Sequence, residues 1–325
     1  MRRREFIALV GGAAFGWPRY ARSQAATPLI GYLSSKGETV EAGIVAALRK
    51  GLAQRGYVDG QNVAMIYRWS EGDYSLLPQF AAELVEKRVS AIVASGLPAA
   101  LAAKHATSTI PIVIRLAVDP VAFGLAQSLN RPGGNVTGVT MLFDLLTPKK
   151  FQLLHELVPA AATMGLLVNP NNQNAASHQD NAEKAAQALG LNLVVMPVGN
   201  GDELERAFAA GRKSGIGALV VGDDPLFDVL SGQLIDVAAH YQLPTMYYVR
   251  DFVVPGGLVS YGPSFDEMSE QVGIDLGRIL EGQAAADLPI QQPTKIELVV
   301  NLKTAKVLGL TIPESFLLRA DEVIE

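Results

Sequence analysis

From Pro28 onward, short aliphatic and β-branched runs alternate with stretches of helical spacing, and this alternation constrains the fold more than any other feature. The runs "PLIGYL", "VAMIYRW", "AIVAS" and "PIVIRL" read as strands, with helices predicted near 39–54, 75–87 and 98–106 between them. Their interiors are almost continuously apolar, as a strand requires when helices cover both faces of a parallel sheet. The turn-rich segment "RPGGNVTGVTM" (131–141) then interrupts the pattern. After a helix near 147–157 the alternation restarts with "TMGLLVN", "LNLVVMPV", "GALVVGDD" and "PTMYYV".

One closed barrel needs about eight such units. The break at 131–141, a second at "VPGGLVSYG" (254–262) and the late strand "KIELVVN" (295–301) favour two Rossmann-like, doubly wound α/β lobes instead. Residues 28–145 with about 258–285 are expected to form lobe one. Residues 146–257 with about 286–325 are expected to form lobe two. The chain would then pass between lobes three times, a hinge arrangement suited to closure.

The 325 residues include no Cys, which excludes disulfides, thiolate metal sites and a Cys nucleophile. His105, His155, His178 and His240 have no metal-ligand spacing, so neither a metal nor another cofactor is expected. With 18% charged and 49% hydrophobic residues, the composition is that of a globular protein.

The first 25 residues, "MRRREFIALVGGAAFGWPRYARSQA", have a basic start, an apolar stretch from Phe6 to Trp17 and a small-residue end. That stretch is too short to span a bilayer and reads as a signal peptide rather than a buried N-terminal helix. Arg3-Arg4-Glu5-Phe6-Ile7 fits the core of a twin-arginine signal, although Arg2 and Ala8 depart from its usual residues. The leader holds five Arg and one Glu, so its removal leaves 22 basic and 31 acidic residues, a net charge of −9. No basic run remains, which argues against a nucleic-acid partner. The mature protein is expected to be a soluble periplasmic monomer, not inserted in the membrane.

In open α/β sheets, ligands bind beyond the carboxyl ends of the strands. The residues expected there are Ser34-Ser35, Trp69-Ser70, Ser95-Gly96, Asp119-Pro120, Asn169 to Asn172, Asp223-Asp224, Tyr247 to Asp251 and Tyr261. Phosphate-loop, dinucleotide and nucleophile-elbow motifs are missing from the chain that follows the leader. Asp224 either caps a helix beginning at Pro225 or, with Asp223, binds an amine or serves as acid and base. Asp119 carries the same ambiguity. The aromatics either line a cleft or pack at lobe edges, and Arg250 either pairs a ligand carboxylate or bridges to a nearby acid. The uncharged turn Ser95-Gly96-Leu97-Pro98 leads into a helix whose early N–H groups, near Ala99, suit a carboxylate. Lys36 is expected to matter less there than the backbone.

The segments "SGLPAALAA", "AVDPVAFGLAQSLNRPGGNVTGVT", "GDDP" and "PTKIELVVNLKTAKVLGLTIPESFLLRADEVIE" resemble ABC-transporter substrate-binding proteins of the tryptophan/tyrosine-binding kind. The resemblance implies a type I periplasmic-binding fold whose lobes close over a small molecule. It also implies delivery to a membrane permease driven by a separate ATPase. Ser95 to Ala99 resembles the family's carboxylate-holding turn, and Ser34-Ser35 its first-strand loop. Asp119-Pro120 resembles the Asp-Pro after the fourth strand, and Asn169 the Asn at the lobe-two entrance. Asp223-Asp224 replaces an Asp-Asn pair near the ligand amine, and Tyr261-Gly262-Pro263 replaces Tyr-Gly-Ile-Asp. These departures make a carboxylate without an amine, such as an aromatic or branched organic acid, as good an expectation as an amino acid.

The expected function is therefore a non-catalytic receptor for a small carboxylate. A ligand-sensing module for a membrane sensor and an exported enzyme using Asp223 or Asp224 are the rivals.

Overall fold

The computed structural model describes residues 27–325, Thr294 excepted. The signal-peptide reading of residues 1–25 lies outside the described residues.

The first lobe follows the predicted alternation closely. It runs β1 (Leu29–Ser34), α1 (Glu38–Gln54), β2 (Ala64–Trp69), α2 (Leu77–Glu86), β3 (Ala91–Ser95), α3 (Leu97–Ala106), β4 (Ile112–Leu116) and β5 (Val136–Thr140). Its sheet is parallel with order β2-β1-β3-β4-β5. Every residue of β3, β4 and β5 is buried, which accounts for their mostly apolar sequence; Ser95, Arg115, Thr137 and Thr140 are the polar exceptions.

The second lobe begins with α4 (Thr147–Leu157), β6 (Thr163–Val168), α5 (Ala175–Ala188), β7 (Asn192–Pro197), α6 (Leu204–Lys213) and β8 (Ala218–Val221). It continues through α7 (Pro225–Val229), α8 (Ser231–His240), β9 (Thr245–Tyr247) and β10 (Val259–Pro263). After α9 (Phe265–Leu280), β11 (Ile296–Asn301), α10 (Leu302–Val307), α11 (Glu314–Leu317) and β12 (Glu322–Ile324) complete the chain. The seven strands lie in the order β12-β11-β10-β9-β8-β6-β7. Pro98, Pro148 and Pro225 sit in the first turns of α3, α4 and α7, where their missing N–H costs no helical bond.

Two expected boundaries move. Residues 258–263 belong to the second sheet, because β10 pairs with β9 and β11 and buries Leu258 and Val259 in that lobe's core. The helix that follows does belong to lobe one. Gly51 and Gly273 let α1 and α9 approach so closely that a Cβ would lie 1.8 Å from Glu270 O and 2.1 Å from Leu48 O, respectively. Residues 288–291 also stay with lobe one: Gln291 exchanges backbone bonds with Gly138 and Thr140 beside β5, and Leu288 O accepts from Thr137 Oγ1. The lobes are thus joined by three crossovers, after β5, between β10 and α9, and before β11. They also meet in one hydrophobic cluster, where Phe143 and Tyr248 make an edge contact with ring centroids 5.7 Å apart.

Candidate functional site

Each sheet has a point where successive crossovers turn opposite ways, between β1 and β3 in lobe one and between β6 and β8 in lobe two. Loops splay apart at such points and leave a crevice beyond the strand ends. The two crevices face each other. Between them lies a cavity with an empty volume of about 430 Å³.

Gly96 and Leu97 supply part of the lobe-one wall. Gly96 has φ +93°, a left-handed conformation that favours glycine, and it turns the chain from β3 directly into α3. The first N–H groups of α3, those of Leu97 and Ala99, have no acceptor within the helix. Pro98 is partly buried and Ala99 fully buried behind them.

Beside this turn lies a charged cluster that the sequence did not disclose. Glu41, in the first turn of α1, is completely buried. It accepts hydrogen bonds from Tyr32, from Ser95 Oγ (2.9 Å) and from Arg115 Nη2 (2.9 Å), and Lys36 Nζ lies 3.6 Å away. Burial works against its charge, but Arg115, Lys36 and the two hydroxyls outweigh it and lower the Glu41 carboxyl below its ordinary value. Burial, then the neighbouring Glu41 charge, push the Tyr32 phenol well up. Arg115 and Lys36 both line the cavity, and each cation sits 4.9 Å from the Phe265 ring centroid. The Nε of Arg115 is buried without a hydrogen-bond partner.

The lobe-two wall is acidic. Asp224 N-caps α7 through Leu226 N (2.8 Å), as one reading of the sequence held. It also accepts from Asn169 (2.9 Å), Asn172 (2.6 Å) and, across the cleft, Tyr74 Oη (2.7 Å). Burial raises the Asp224 carboxyl while these donors pull it down, and burial prevails. Asp223 Oδ1 lies 2.9 Å from His178 Nε2, and Asn174 contacts the same ring nitrogen at 3.3 Å. Asp228 accepts from Tyr248 Oη (2.7 Å) and pairs with Lys36 Nζ at 2.6 Å. That ion pair crosses from one lobe to the other.

Of the residues expected at the site, Gly96, Leu97, Asn172, Asp223, Asp224 and Tyr248 line the cavity. Ser95 and Asn169 support it, through Arg115 and Asp224 respectively. Ser34 Oγ accepts from Lys36 N (3.0 Å) and so fixes the loop, and Ser35 is buried beside Gly96.

Five others lie away from the cavity. Asp119 is exposed and caps its own turn through Val121 N (2.9 Å), although Ala117 and Val118 just before it line the cavity. Trp69 stacks on Tyr67 at 5.4 Å on the outer strand β2. Tyr247 stacks on Phe252 at 4.9 Å inside lobe two, since alternation along the strand turns it away and presents Tyr248 instead. Arg250 is exposed and bonded to Glu322 by two nitrogens. Tyr261 packs against the second lobe's core.

Lys36 lines the cavity too, and so do Arg115, Asn174, Asp228 and Phe265, which the order of strands and loops did not point to. A charged residue inside the apolar run "PIVIRL" was the one available signal, for Arg115.

Among the described residues, no group of three or more His, Asp or Glu could hold a metal ion. No helix among them is long and apolar enough to cross a membrane.

Residues 39–324 match the family model for ABC transporter substrate binding protein. The chain belongs to this family.

This substrate-binding protein is 27% identical over 263 residues to a tyrosine-binding protein of Clostridioides difficile, covering 80% of this chain and 75% of that one. A solved ABC domain from Streptococcus pneumoniae, in complex with L-Trp, superposes with TM-score 0.85 at 27% identity. That match covers 92% of this substrate-binding protein and all of the other chain. A conserved domain protein of Vibrio cholerae gives TM-score 0.86 at 26% identity, covering 91% and 99%. The two lobes and their hinge form the type I periplasmic-binding architecture.

Proposed function

We propose that this substrate-binding protein is an exported, non-catalytic receptor that closes over a small carboxylate-bearing molecule, an organic acid or amino acid. It would present that cargo to an ABC permease powered by a separate ATPase. The observation that carries this reading is Arg115: a buried guanidinium in the cavity wall, held by Glu41 and Ser95, with its Nε unpartnered beside the start of α3. A buried cationic donor so placed favours a carboxylate oxygen.

Across the cleft, Asp223 is the carboxylate best placed for a cargo amine. Its bond to His178 engages Oδ1, whereas Asp224 already serves four donors and Asp228 is paired with Lys36. The same saturation weakens the case for Asp224 as a catalytic base. The tyrosine-binding relative and the L-Trp complex support cargo of the amino-acid class.

The test is a thermal-shift screen of the refolded mature chain against amino acids, aromatic acids, short-chain acids and sugars. Ligand at a hundredfold over its dissociation constant adds about 2.7 kcal/mol of stability, which amounts to a few degrees at this size. A response confined to sugars would overturn the carboxylate reading.

A further inference from the structure

Two cavities meet at Lys36. The inner one, described above, has an empty volume of about 430 Å³. Beside it opens an outer one of about 690 Å³, whose walls include Val40, Ile44 and Phe252. Lys36, Asp228 and Phe265 belong to both walls.

What separates the two spaces is therefore the interlobe pair Lys36–Asp228, 2.6 Å between charged atoms, with the Phe265 ring against the same ammonium. Both side chains are almost out of solvent, 4% and 10% exposed. The ammonium also faces Glu41 at 3.6 Å. To admit a bulky ring between the lobes, Lys36 would have to leave two buried carboxylates, and Asp228 would keep only the Tyr248 hydroxyl. Breaking a buried pair from one side is strongly unfavourable. The inner rings offer little in return. Phe265 already carries Lys36 and Arg115, and Phe143 carries the Lys150 ammonium at 4.9 Å.

We propose that Lys36 is the specificity-determining residue of this cleft. Its ion pair with Asp228 confines cargo to small carboxylates that fit the inner chamber and turns away acids bearing a large aromatic ring. This inference rests on the receptor reading above. Removing the Lys36 side chain joins the chambers and gives a ring apolar contacts on Val40, Ile44 and Phe252.

The experiment is calorimetric titration of the refolded mature chain with propionate, isovalerate, L-alanine, indole-3-acetate and L-tryptophan. Wild type is expected to bind at least one of the small probes at least about tenfold more tightly than either aromatic one, the scale on which pocket size discriminates. Lys36→Ala is expected to level or reverse that ratio. Lys36→Ala combined with Asp228→Ser removes both members of the pair, orphans neither, and should level it in the same way even if the single variant does not fold. Wild-type binding of an aromatic probe as tightly as a small one, or an unchanged ratio in folded variants, overturns the inference and leaves the receptor reading standing. A folded wild type that binds none of the five overturns the carboxylate reading, and this inference with it.

Discussion

The phenol of Tyr74, on the first lobe, donates to Asp224 of the second across 2.7 Å, and the carboxylate that receives it also caps α7. One acidic side chain thus fixes a helix start and joins the lobes. Because Asn169, Asn172 and Leu226 N hold Asp224 without help from Tyr74, the interlobe bond can break while the cap persists.

Tyr74→Phe therefore tests closure more than folding. It removes a hydrogen bond to a charged group, an interaction worth about 1.5–3 kcal/mol. The expected outcome is a larger radius of gyration by small-angle scattering and weaker cargo binding, with the secondary structure seen by circular dichroism unchanged. A radius unchanged in the variant would show that the bond does not hold the lobes together.

Gly96→Ala should also act across the cleft. A Cβ there would lie 3.1 Å from Pro225 of the other lobe and 3.1 Å from Ser35 Oγ, at a backbone φ of +93°. That backbone conformation, with ψ 153°, is essentially confined to glycine and costs another residue about 1–3 kcal/mol of stability. The strain lowers stability, whereas the contact with Pro225 obstructs closure, so affinity for whichever carboxylate binds wild type is expected to fall by about tenfold, a cost of about 1.4 kcal/mol. Calorimetry beside circular dichroism would separate lost binding from lost fold.

Arg115 separates charge from geometry. Arg115→Lys keeps a cation near Glu41 but loses the planar fork and the free Nε, so carboxylate binding should drop by at least about tenfold while the fold survives. Arg115→Ala leaves Glu41 with Lys36, Ser95 and Tyr32 alone, and should cost about 3–5 kcal/mol of stability. Denaturant titration reads the second effect and calorimetry the first. Equal binding by Arg115→Lys and wild type would remove Arg115 from the carboxylate site.

Asp275 gives a pH signature. It is buried on α9 and accepts from Gln271, Arg278 and, weakly, Gln291, the residue that ties the third crossover to β5. Burial pushes its carboxyl up to about 6 against the pull of Arg278 and the two amides. The folded state therefore holds this proton more tightly than the unfolded chain does. As pH rises from about 4 to about 6, the unfolded chain ionises first and stability is lost, with the full cost of about 3 kcal/mol present above 6. Asp275→Asn is expected to raise the unfolding temperature at pH 7.5 and to change it little at pH 4. An equal shift at both values would mean that Asp275 does not titrate in this way.

Local chemistry made the fold legible. Pro28 to Leu116 could be divided into strands and helices because β1, β3 and β4 are buried on both faces, the edge strand β2 is half-buried and each helix has a face to bury, so hydrophobic periodicity reports them directly. Proline in a first helical turn and the capping aspartate before α7 marked helix starts for equally local reasons. The displaced boundaries were not legible in the same way. Val259 reads as a strand wherever it pairs, and only β9 and β11 decide which sheet it joins. Gln291 entered lobe one through backbone bonds that carry no side-chain signal.

The site divides along the same line. Sequence alone determined which loops follow the strands, and so placed Gly96, Leu97, Asp223 and Asp224 at the cleft. Tertiary structure decided which neighbours share it: Tyr248 rather than Tyr247, Lys36 with Asp228, and Arg115 with Glu41, 74 residues apart. A strand's end is a local property, set by residues a few positions away. Charge pairing is not, because burial makes an ionised group seek whichever opposite charge the fold brings within reach.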